Sequence, residues 1–72
     1  MAWTREVGGA TIQFEHLRVG YNHTWYTARL LSGEWPVSAS EIVAATADAP
    51  FGGYVEATGD PAERRVKVYG CD

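Results

Sequence analysis

Sulfur and lysine are scarce in this chain of 72 residues, which holds one cysteine, one methionine and one lysine. The lone thiol, Cys71, excludes an intramolecular disulfide, so the fold must rest on packing and backbone hydrogen bonds. Strong zinc signatures need paired ligands of the C-x-x-C or H-x-x-x-H kind. His16, His23, Asp60, Cys71 and Asp72 form no such pair, and neither a metal nor a cofactor is expected. Positive charge is also in deficit: the formal net charge is −3. That sign opposes general nucleic-acid binding. No apolar run approaches the roughly 18 residues of a membrane span, and no basic-then-apolar start resembles a signal peptide. The expected compartment is the cytoplasm.

Catalytic constellations are missing as well. A Cys71/His pair has no orienting third group, and a penultimate residue is poorly placed to be a nucleophile. Ser38 and Ser40 read as helix-start residues and Ser32 as a turn residue. No glycine-rich phosphate loop runs into Lys-Ser/Thr, so the chain is not expected to be an enzyme.

Aromatic bulk is present: three Trp, four Tyr and two Phe. A domain of this size buries only roughly 60% of its unfolded surface, which makes each large ring important. The 46% hydrophobic and 21% charged residues suit an ordinary globular domain, 1–72, without internal repeat or linker.

Local signals order the elements. Gly8-Gly9 supplies the positive-φ pair of a two-residue hairpin turn. Counting outward pairs Val7 with Ala10, Arg5 with Ile12 and Trp3 with Phe14. Trp3, Val7, Ala10, Ile12 and Phe14 then share one face. The second strand should end near Leu17, with a loop over 18–23 and a third strand over 24–31. Tyr26, Ala28 and Leu30 suit its buried side, which leaves Trp25 on the other. Ser38 and Glu41 have capping-box spacing, Val37 and Ile42 have staple spacing, and Pro50 is a stop. These place a helix at about 39–49, striped with small apolar residues. Strands follow over 54–58 and 64–69, joined by a Gly59-Asp60-Pro61 turn. Val55, Ala57, Val66 and Val68 would point inward, and Tyr54, Glu56, Arg65, Lys67 and Tyr69 outward.

The predicted fold is α+β, a small curved five-stranded antiparallel sheet of element order βββαββ with one helix on one face. The same order is found in the OB-fold, so an OB-like small barrel is the alternative. A short hairpin closed by Gly8-Gly9 and the lack of a basic face count against it.

One short helix cannot cover all the rings. Trp25, Trp35, Tyr54 and Tyr69 are therefore candidate members of an aromatic protein-binding surface, since Trp, Tyr and Arg are enriched at binding hot spots. The expected function is a small non-enzymatic protein-binding module. Five Arg against one Lys, with ten Ala, suits a GC-rich origin, and a phage or mobile-element accessory protein acting on a host protein fits that setting. Arg64, Arg65, Lys67 and Tyr69 are the only basic cluster. They define the alternative, an OB-like single-stranded nucleic-acid binder, with Glu56 and Glu63 available as ordinary cross-strand partners. A homodimer joined through a sheet edge or face is the third reading.

Overall fold

The computed structural model describes residues 2–46 and 52–70. Five strands, β1 (Ala2–Val7), β2 (Ala10–Gly20), β3 (His23–Ser32), β4 (Gly52–Ala57) and β5 (Glu63–Tyr69), form one sheet, and α1 (Ala39–Ala44) packs on it. The spatial order is β1-β2-β3-β5-β4, with every neighbouring pair antiparallel. β3 and β4 both run against β5, so they are parallel to each other. The connection through α1 carries the chain past β5 to the far edge, and the helix rests on β4 and β5. Both β1 and β4 are edges. The sheet is open, and the OB-like barrel alternative is thereby corrected.

The first hairpin has the register its turn dictates. Gly8 and Gly9 take φ of 58° and 87°, and Val7 pairs with Ala10, Arg5 with Ile12 and Trp3 with Phe14. Alternation sends Val7, Ala10, Ile12 and Phe14 inward to meet Ala28, Val66, Val68 and the helical Ile42 and Val43, and all nine are buried. Trp3 closes one border of this core, stacked on Phe14 and edge-on to Tyr26, each at 5.7 Å. Among the described residues no buried side-chain polar atom lacks a partner.

β2 is longer than its residues suggest. It runs on to Gly20 and returns through Tyr21-Asn22, where Asn22 takes the left-handed φ of 59°. The predicted loop over 18–23 is therefore mostly strand. The pairing shifts between His16 and Arg18, because Leu17 is an extra residue opposite Trp25. Such a bulge is invisible to a two-residue periodicity. His16 is exposed and lies edge-on to Tyr26 at 5.7 Å.

The helix start also differs from expectation. Ser38 occupies the N-cap position, but its hydroxyl makes no capping bond and lies 2.6 Å from the Ser40 hydroxyl. Glu41 turns toward the β1–β2 turn: a Cβ on Gly8 would lie 3.5 Å from its Oε1. Val37 is fully exposed, so no staple with Ile42 forms. Docking against the sheet, through buried Ile42 and Val43, holds the helix in place of the local cap. The helix proper ends at Ala44, with Ala45 as its C-cap; 47–49 of the expected helix, and Pro50, lie outside the described residues.

Candidate binding face

The sheet has two sides, and α1 covers only one. On the opposite side the register writes a row across four strands: Arg18 pairs with Trp25, Trp25 with Lys67, and Lys67 with Tyr54. The row above it brings His23 opposite Tyr69. The row below runs Glu15, Thr27, Arg65, Glu56. Facing residues on one side of a sheet lie within side-chain reach, so these rows form one cluster.

Its centre is a set of three rings around one ammonium. Trp25 and Tyr54 meet edge to face at 6.0 Å, and Tyr54 and Tyr69 are tilted at 6.5 Å. Lys67 Nζ lies 5.6 Å from the Trp25 ring centre, 5.8 Å from Tyr54 and 5.2 Å from Tyr69. Arg18 approaches Trp25 as well, with its guanidinium carbon 5.7 Å from the ring centre. All four contacts fall within the range where a ring quadrupole attracts a cation. Trp25 is half-buried, while Tyr54 and Tyr69 each keep 40% of their surface exposed. Beside the rings, Leu17, Arg18, Trp25, Glu56 and Arg65 line an open pocket of about 310 Å³.

No family model matches this sequence, and no curated protein or solved structure is significantly similar to it.

Of the four aromatic candidates, Trp25, Tyr54 and Tyr69 meet here. Trp35 does not meet them. It packs at the margin of the core, its indole N–H donates to the Pro61 carbonyl at 2.9 Å, and Arg64 stacks over it at 4.8 Å. Arg64 pairs with Ala28 and Ala57 on the helix side of the sheet and donates to the Pro61 and Glu63 carbonyls. Of the basic cluster, Arg65, Lys67 and Tyr69 share the open face. Strand alternation separates Arg64 from Arg65.

Arg18 and Leu17 join the site without having been singled out in the sequence. The bulge brings both opposite Trp25. The available signals were weak: the strand-forming Leu17-Arg18-Val19 run and the left-handed tendency of Asn22.

Elsewhere the polar chemistry is structural. Asp60 Oδ1 accepts from the Ala62 N–H at 2.9 Å, and Arg29 bridges to Oδ2 at 3.2 Å. The Ala62 bond, helped by the Arg29 guanidinium, holds this carboxyl below its usual value of 3.8. His23 donates from Nδ1 to the Tyr21 carbonyl at 2.8 Å, and its ring fills the space above Gly20. Among the described residues no three His, Cys, Asp or Glu side chains gather as a metal site, and no helix is long and apolar enough to cross a membrane.

Proposed function

We propose that this chain is a non-enzymatic protein-binding module that docks its partner on the open side of the sheet. The observation that carries the reading is the grouping of Trp25, Tyr54 and Tyr69 around Lys67 on the side away from the helix. Rigid rings supply contact area at a small entropic cost, and Trp, Tyr and Arg are the residue types that dominate interface energetics. Cross-strand packing already holds these rings in place, so a partner would meet a preorganised surface.

A second reading, single-stranded nucleic-acid binding, draws on Trp25, Arg65, Lys67 and Tyr69 sharing one side. Two features weigh against it. Lys67 and Arg18 already approach the rings on which bases would stack. Arg65 also stands in a row between Glu15 and Glu56, which a phosphate backbone would have to cross. A homodimer through this face would bring two copies of the patch that holds Arg18, Arg65 and Lys67 together, a like-charge juxtaposition.

Affinity capture from lysate with wild type and with a Trp25→Ala/Tyr54→Ala variant tests the reading. Specific partners should be recovered by wild type and lost by the variant, provided both show the same far-UV spectrum. Equal recovery by both removes the aromatic face from the interaction. Salt-dependent binding of an oligothymidylate, lost in Arg65→Glu/Lys67→Glu, would replace the reading with the nucleic-acid one.

A further inference from the structure

The pocket beside the rings has a composition of its own. Arg18, from the bulged end of β2, and Arg65, from β5, line it together with Trp25 and Leu17. Among the described residues the single salt bridge is Arg29–Asp60, and neither Arg18 nor Arg65 makes a side-chain hydrogen bond. Glu56 is the register partner of Arg65 and lines the same pocket, yet it forms no ion pair with it within 4.0 Å. The fork of a guanidinium matches a carboxylate with two parallel N–H···O bonds.

Building on the protein-binding reading, we infer that this pocket is a carboxylate subsite. It takes the Asp or Glu side chain of an extended acidic segment of the partner. An apolar neighbour of that acid lies along Leu17 and Trp25, and the segment continues over Tyr54 and Tyr69.

Charge complementarity selects this occupant. Among the residues that line the pocket, Arg18 and Arg65 face Glu56 alone, and Lys67 stands across from the lining Trp25, so the pocket is locally cationic on a molecule whose net charge is −3. Screening confines the patch to about 8 Å at physiological ionic strength, so a short acidic segment meets the patch and little of the acidic remainder. A long polyanion would run from the patch onto Glu15 in the adjoining row. A second copy of the chain would present the same three cations. An acidic peptide escapes both penalties.

Selection from a displayed library of random short peptides on the immobilised protein tests the inference. Enrichment of peptides with Asp or Glu next to an apolar residue is expected. The best of these should weaken about tenfold or more when its acid is changed to the amide, and equally on Arg18→Gln/Arg65→Gln. The amide change on the peptide leaves the protein untouched, so the result stands even if the double variant folds poorly. Peptides enriched without acids, and lost with Trp25→Ala, would overturn the carboxylate subsite and leave the binding face in place. Enrichment of no peptide, or binding of oligothymidylate in its stead, would overturn the subsite and the protein-binding reading together.

Discussion

Lys67 stands directly across the β3–β5 ladder from Trp25, with its ammonium 5.6 Å from the centre of the indole. The same ammonium approaches Tyr54 and Tyr69, so one cation organises three rings contributed by three strands. The ammonium itself stands over the rings, so the contact is one between a cation and the negative faces of three π-systems.

Replacing Lys67 with Met keeps the stem and removes the charge. The loss expected in urea unfolding is about 0.5–1 kcal/mol, the range of a partly exposed cation–π contact. No change in midpoint would mean that the ammonium does not hold the rings.

Gly33 follows β3 with φ of 81°, and a Cβ there would come within 2.9 Å of the Gly9 carbonyl oxygen. Gly33→Ala combines left-handed strain with a backbone overlap, and should cost about 1–3 kcal/mol. Gly9→Ala, at φ of 87° with open space around it, bears the strain alone. Parallel denaturation curves should place the Gly33 variant well below the Gly9 variant.

Ser38 has the position of a capping residue without the bond. Ser38→Ala should therefore change stability by less than about 0.5 kcal/mol, against the usual cost of about 1 kcal/mol for a lost cap. A full capping loss in chemical denaturation would restore the local reading of this helix start.

Trp35→Phe removes the 2.9 Å bond to the Pro61 carbonyl and weakens the Arg64 stack. The expected cost is about 1 kcal/mol in unfolding free energy. Partner recovery in the capture experiment should be unchanged, because Trp35 lies away from the open face. Loss of partners without loss of stability would return Trp35 to the binding surface.

Asp60 sets an acid limb. Its folded carboxyl titrates below 3.8 because the Ala62 N–H and then Arg29 favour the charged form. A depressed folded value contributes stability above the unfolded value, and that contribution disappears as pH falls through the folded one. Asp60→Asn keeps an acceptor for Ala62 but no titrating group. Below about pH 4, melts of wild type should fall more steeply than melts of the variant. Coincident acid limbs would place the sensitivity elsewhere.

Much of the architecture was legible because its causes are local. Gly8-Gly9 specifies a hairpin register, and alternation then decides which side Trp3, Ile12 and Phe14 take. The same alternation along β4 and β5 separates Val55, Val66 and Val68 from Tyr54, Lys67 and Tyr69. The site was legible to the extent that strand parity reaches: Trp25, Tyr54, Lys67 and Tyr69 could be read as outward-facing. The surroundings of Trp35 could not be read from the chain, because its contacts with Pro61 and Arg64 join segments far apart in the sequence.

The sequence by itself determined the element order, the first hairpin and most of the core, since turn chemistry and periodicity act over a few residues. The tertiary structure alone decided that β5 lies between β3 and β4, that the sheet stays open, and that Leu17 bulges so that Arg18 faces Trp25. Strand order and bulges depend on the free energy of distant pairings, which no stretch of sequence carries on its own. That is why the rings could be read as outward-facing from the chain, while the pocket between Arg18 and Arg65 could not.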